Sequence, residues 1–159
     1  MKRSVVIPLF MIFVLLALSV RAGAGAGGEA DLIVISDASV QPVPPVSTGT
    51  AVYMKLTNIG AGAGAEGGDV GLVSVASVCC RAAELHRSSG GGFMKMERVH
   101  EVVIKAGETV RMAPGGLHIM LIGLKEPVRR GDTVPITLTF RDGSSVTIHA
   151  RVGTATAGK

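Results

Sequence analysis

Two thioethers and an imidazole, Met96, Met120 and His118, lie close together in the chain, and a second imidazole, His86, stands just upstream. His118 and Met120 are separated by a single residue. In a β-strand, residues i and i+2 leave the same face. A strand through LHIMLIGL therefore aims this imidazole and thioether at one spot and turns Ile119 and Leu121 away from it. Imidazole plus thioether, with no carboxylate nearby, is a soft donor set, and soft sets select Cu(I) over Mg, Ca or Mn. The residue types point to a copper site.

Such a site needs strands to hold it, and the sequence supplies them. Asp31–Val40 is a first strand, where an apolar run breaks into alternation. Gln41–Val46, QPVPPV, cannot be a central strand because proline lacks the amide donor. In Thr50–Asn58, Val52, Met54 and Leu56 alternate with Ala51, Tyr53, Lys55 and Thr57, the period of a half-buried strand. Gly60–Gly68 reads as a permissive surface insertion. Further strands follow at Val70–Val78, from Ala83 to His86, at His100–Ile104 and at Thr109–Met112. Gly90–Gly92 is a turn leading to Phe93–Glu97, and Pro114-Gly115-Gly116 is a turn opening directly into the His118 strand. Thr133–Phe140 and Ser145–Val152 form a hairpin across Asp142-Gly143. Many short strands with turn residues between them predict an all-β Greek-key sandwich or barrel, as a single domain over residues 31–152. No stretch after residue 28 carries a helical period.

The chain opens on Met1-Lys2-Arg3, an apolar run SVVIPLFMIFVLLALSV, and small residues in an A-x-A pattern at Ala22–Ala24 or Ala24–Ala26. This is the layout of a cleaved signal peptide over residues 1–24. The rival, a retained anchor, would have to span with about 17 apolar residues that include Pro8, which is at the short limit. No Cys follows the apolar run, so a lipid-modified start is not expected. Residues 25–30 read as a flexible linker and residues 153–159 as a disordered tail. Cleavage removes Lys2, Arg3 and Arg21 from the 16 basic residues, leaving the mature domain close to neutral against its 12 acidic ones. Neither that balance nor the 3% aromatic content suits a nucleic-acid partner.

The order His, then Met-Lys-Met, then PGG-x-HIML-x-GL, then GD-T-VP-x-TLTF resembles the periplasmic copper chaperones of the PCu(A)C family, over roughly Leu32 to Val152. The resemblance implies a cupredoxin-like fold and a carrier that supplies copper for the copper A centre of cytochrome c oxidase. The family signature is a His, a spacer and a Met, then 21 residues and His-x-Met; Met96 to His118 has that spacing. Carried over, the ligands of Cu(I) are His86, Met96, His118 and Met120. One departure is that nine residues, rather than the family's usual ten, separate His86 from Met96. The shortening falls in the glycine-rich RSSGGGF, where a turn absorbs it. Met94 is the alternative to Met96, but it breaks the spacing to His118.

Two thioethers and two imidazoles make a neutral set for a singly charged soft ion. Binding should fade in acid, because imidazole ordinarily takes up a proton near pH 6.5 whereas a thioether does not. No general base, nucleophile or oxyanion donor set stands beside these residues, so no catalysis is expected. The implied partner is a copper-accepting protein, cytochrome c oxidase subunit II or another copper chaperone. The protein is expected to act as a monomer in the periplasm, meeting the membrane only through its acceptor. Met54 and Met112 read as packing residues, and His100 and His149 sit on other strands.

Cys79-Cys80 is left over. Adjacent cysteines close only a strained ring, and three readings stay open: incidental thiols, a redox or intermolecular role, or metal contact. The last arises because Cys80, Ala82, Glu84 and His86 share a face of a continuous strand. Three rival functions also remain. General copper buffering uses the same residues; an electron-transfer cupredoxin would need a thiolate ligand; an exported β-sandwich binding module would use Met and His for packing alone.

Overall fold

The computed structural model describes residues 27–60, 68–89 and 95–153. The expected leader (1–24), the glycine-rich stretch 61–67, residues 90–94 with Met94, and the tail from 154 lie outside the described residues. A 3-10 turn, Glu29–Leu32, precedes β1 (Ile33–Val40), β2 (Gly49–Asn58), β3 (Val70–Ala76), β4 (Cys80–Ser89) and β5 (Lys95–Arg98). Then come β6 (Val102–Ile104), β7 (Thr109–Met112), β8 (Leu117–Leu124), β9 (Thr133–Phe140) and β10 (Ser145–Val152). The expected all-β, cupredoxin-like single domain is what forms. Among the described residues no helix is long and apolar enough to cross a membrane.

The strands make one curled sheet in the order β5-β4-β8-β2-β1-β10-β9-β3-β6, with β7 also on β2. Every pairing is antiparallel except the short parallel seam of Ser39 with Arg151 and Val40 with Val152. Curling brings alternate residues into one core. Val52, Met54 and Leu56 of β2 meet Ile119 and Leu121 of β8, Ile136, Leu138 and Phe140 of β9, and Leu72 of β3, all essentially unexposed. The alternation read in Thr50–Asn58 is the alternation found, since Tyr53, Lys55 and Thr57 point away from that core.

Several boundaries differ from the sequence reading: β3 stops at Ala76 rather than Val78, β6 starts at Val102 rather than His100, and the starts of β1 and β4 shift as well. β1 begins at Ile33, not Asp31, because the preceding residues are tied to the β9–β10 hairpin. The Glu29 amide donates to Asp142 Oδ2 at 2.6 Å and the Ala30 amide to Ser144 Oγ at 2.9 Å. Glu29 Oε2 in turn accepts from the amides of Gly71 and Arg141, both at 3.1 Å. Residues 28–30, read as linker, are therefore part of the fold. β4 begins at Cys80 and not Ala83, and Cys80–Arg87 of its ten residues run beside β8. At the hairpin, Gly143 adopts φ +86°, the left-handed conformation that an Asp-Gly turn needs.

β7 and β8 lie on the same side of β2, one after the other. Met112 pairs with Met54, and Ile119 pairs with Val52. Between them the chain steps out through Ala113–Gly116 and returns, closed by the Leu117 carbonyl accepting from the Ala113 amide at 2.9 Å. Gly115 takes φ +77° there, a conformation costly for any residue with a Cβ. This step is what lifts a backbone carbonyl over the start of β8.

Candidate metal centre

The register of three strands assembles the donors. Across β4 and β8, His86 stands opposite His118 and Glu84 opposite Met120. Directly opposed residues share a face, as do His118 and Met120 two positions apart. Across β4 and β5, Ser88 stands opposite Met96 and His86 opposite Arg98. Ser88 is two residues from His86, so Met96 joins the same face. All four expected ligands thus lie on one side of β5-β4-β8, the side turned away from core residues Leu85, Ile119 and Leu121. Met94, the alternative to Met96, lies outside the described residues.

The two imidazoles meet edge to face, their centres 6.0 Å apart at 61°. An ion bonded at about 2 Å to one nitrogen of each ring leaves the centres within roughly 6.5 Å, so a single ion can join them. His118 is only 4% exposed. Its Nδ1 lies 3.0 Å from the Gly116 carbonyl, which only accepts, so Nδ1 carries the proton and Nε2 keeps its lone pair. The same carbonyl accepts from the Ser88 amide at 3.0 Å, which pins it to β4. The Pro-Gly-Gly turn and β4 together orient His118.

Met120 is half-buried and stands opposite Ala51 of β2. A Cβ on Gly49 would come within 3.2 Å of the Met120 methyl and 2.9 Å of the Leu121 carbonyl, so the absent side chain leaves the thioether its space. Met96, on the edge strand β5, is 56% exposed. A shallow cavity of about 300 Å³ opens over Met96, Pro114, His118, Met120 and Tyr53. Tyr53 tilts toward His118 with ring centres 6.5 Å apart, and its hydroxyl donates to Gln41 Oε1 at 2.8 Å. Burial pushes its phenol pKa up, so it faces the cavity as a neutral group.

The reading of a site with no carboxylate nearby needs correction. Glu84 Oε2 lies 3.0 Å from His86 Nε2, and Glu84 Oε1 lies 3.3 Å from Arg98 Nη1. The hydrogen bond to His86, followed by the charge of Arg98, holds the Glu84 carboxyl below its ordinary pKa. His86 Nδ1 is buried and has no hydrogen-bond partner among the described residues. Among the described residues, this face included, no three His, Cys, Asp or Glu side chains gather as a metal site. The donors that converge are the soft ones.

A family model described as "Putative lipoprotein LpqE-like" matches residues 33–152. The Cu(I) form of DR1885 from Deinococcus radiodurans, solved in solution, is 34% identical, with 87% of each chain covered and a TM-score of 0.61. The copper-bound PCuAC domain of PmoF2, 24% identical, shares the fold with a TM-score of 0.62 over 76% of this chain and 92% of that one. The chain is an LpqE-like member of the PCu(A)C family. "Putative lipoprotein Lxx21020" of Leifsonia xyli subsp. xyli is 34% identical over 119 residues, covering 74% of this chain and 67% of that protein.

The cysteines of this PCu(A)C chain stand apart from the converging donors. Cys80 does lie on a strand continuous with His86, but it pairs with Leu124 at the opposite end of β4–β8. Six residues of strand separate the two by about 20 Å. The Cys80 thiol is buried in the core and donates weakly to the Ser77 carbonyl at 3.7 Å. Burial first, and Cys79 second, push its pKa up. Cys79 accepts from Ser77 Oγ at 3.2 Å, and both thiols are free. His149 is exposed on β10, and His100, expected on a strand, is exposed in the bend before β6, which begins at Val102.

Sequence reasoning set Glu84 on the face of His86 without giving it a role, and overlooked Arg98 and the Gly116 carbonyl. Glu84 had a signal, because it lies two residues before His86 on one strand face. The Gly116 carbonyl had none beyond the turn that presents it.

Proposed function

We propose that this PCu(A)C protein is a Cu(I) carrier that binds one ion through His86, Met96, His118 and Met120 and passes it to a copper-accepting protein. The observation that supports this most is the pairing of His86 opposite His118, with Met120 two residues along on the same face. The acceptor is subunit II of cytochrome c oxidase, at its copper A centre, or another copper chaperone. Residues 1–24 direct export and are removed, and the domain over residues 31–152 works in the periplasm as a monomer. Its work is binding and transfer, without catalysis.

The donor types suit that role. Two imidazoles and two thioethers add no charge, so the bound centre carries a single positive charge beside Glu84. A half-exposed thioether lets an incoming ligand reach the ion before the buried donors let go. Transfer then proceeds by stepwise exchange, with no need to strip the ion into water.

The test is an anaerobic titration of the purified protein with Cu(I) against a chromophoric chelator, repeated on His118→Ala and Met120→Ala. One colourless equivalent held by wild type and lost in both variants is expected. Wild type that cannot compete with the chelator would remove copper from the reading. Mixing the loaded protein with an apo copper A domain, and following the absorption of the filled centre, tests the acceptor.

A further inference from the structure

The geometry points to Glu84 as the positioning residue of the site, holding His86 in the tautomer that binds copper through Nδ1 while the Gly116 carbonyl holds His118 in the opposite one, which binds through Nε2. The inference rests on the Cu(I) reading above and deepens it. It is carried by the environments of the four ring nitrogens. His118 Nδ1 meets an acceptor that can only be a carbonyl. His86 Nε2 meets a carboxylate oxygen at 3.0 Å. A lone pair on that nitrogen would face the lone pairs of Glu84, so Nε2 must carry the proton.

The remaining nitrogen of His86 is then an acceptor, buried and without a partner among the described residues. Buried polar atoms are almost always satisfied, and one that is not calls for a ligand or an ion. A proton on Nδ1 would leave a buried donor with nothing among the described residues to receive it, which disfavours the alternative tautomer. An ion bound by Nδ1 satisfies the orphan and leaves the Glu84 contact intact. Outer hydrogen bonds of this kind fix the ring and raise its basicity toward the metal.

Glu84 also reaches the strand that carries the fourth donor. Its other oxygen holds Arg98 at 3.3 Å. Arg98 stands opposite His86 and two residues from Met96 on β5, so it shares their face. One carboxylate therefore orients the His86 ring and ties down the strand that carries Met96. Glu84 is not itself a ligand here, because both of its oxygens are engaged by its neighbours.

The experiment is long-range proton–nitrogen correlation on histidine-labelled protein, without metal and with one equivalent of Cu(I), for wild type, Glu84→Gln and Glu84→Ala. Metal-free wild type should show His86 protonated on Nε2 and His118 on Nδ1. Cu(I) should move the Nδ1 resonance of His86 and the Nε2 resonance of His118. Glu84→Gln keeps an oxygen that accepts from Nε2 and should preserve this pattern. Glu84→Ala should mix the His86 tautomers and weaken Cu(I) binding about 10–100-fold, with the core resonances of β8 unchanged. Cu(I) moving Nε2 of His86, or Glu84→Ala matching wild type in tautomer and affinity, would overturn the inference. No response of wild type to Cu(I) would sink the carrier reading together with the copper half of this inference. The metal-free tautomers would still decide what Glu84 does.

Discussion

β8 and β5 each carry residues of the proposed donor set, yet they occupy opposite situations in the sheet. β8 is flanked by β4 and β2, and its other face supplies Ile119 and Leu121 to the core. His118 is buried there, with its ring held by the Gly116 carbonyl. β5 is a four-residue edge strand with every residue exposed, attached only to β4. The difference separates two duties. In the proposed site, the interior strand would supply donors whose geometry is fixed before the ion arrives, whereas the edge would supply a donor that a partner can reach. A carrier needs both, since a site made only of buried donors would hold its cargo too slowly exchanging to be useful.

The comparison is broken most severely at His118. His118→Ala removes an oriented imidazole from the fixed half and should weaken Cu(I) by about a thousandfold, roughly 4 kcal/mol. Competition against a chelator reads this directly. Met96→Ala removes a thioether that solvent already surrounds, and should cost about tenfold, ~1.4 kcal/mol. Its larger effect should be on transfer, slowing delivery to an apo acceptor in stopped flow by more than the affinity changes. Equal losses in both variants would mean that the edge donor is as firmly held as the interior one.

Acid sharpens the comparison at the contact that joins the two halves. His86 first, and Arg98 second, hold the Glu84 carboxyl below its ordinary value of 4.5. A carboxyl whose folded pKa is depressed stabilises the fold above its unfolded pKa, and that contribution is lost as pH falls through the folded value. The tie from Glu84 to β5 should therefore persist in mildly acid solution and fail only below about pH 4.5. The protection factors of the Lys95–Arg98 amides in metal-free protein should fall over that window in wild type and stay flat in Glu84→Gln. Copper release that sets in at higher pH would belong to the imidazoles.

How much of this was legible beforehand follows from what a period of two can encode. Alternation in Thr50–Asn58 and in LHIMLIGL fixes which side chains share a face, so the core residues and the His118/Met120 pair were readable. With the nine-residue spacer between His86 and Met96, Met96 falls opposite Ser88, on the face of His86. Pairing partners were not readable, since the neighbour of a strand depends on how the whole sheet curls. That β4 lies against β8, and so sets His86 opposite His118, belongs to that class. The Gly116 carbonyl was invisible for a further reason: a backbone group carries no residue type. Glu84 was readable and passed over, because the same two-residue rule that joined His118 to Met120 joins it to His86.

The smallest expected effect lies at the far end of the same two strands. Cys80 shares β4 with His86 but sits beside Leu124, with its sulfur in the core. A Cys79→Ser/Cys80→Ala variant removes both thiols without placing a hydroxyl in an apolar site, where it would cost about 1–3 kcal/mol. Cu(I) affinity should stay within about threefold of wild type, under 0.7 kcal/mol, and the stoichiometry should remain one. The reason is distance: about 20 Å of strand separates Cys80 from His86, and no donor common to both ends exists to couple them. Loss of the bound equivalent in this variant alone would move the metal to the other end of β4–β8. The contrast between β8 and β5 would then describe packing, and the two histidines would meet for structural reasons only.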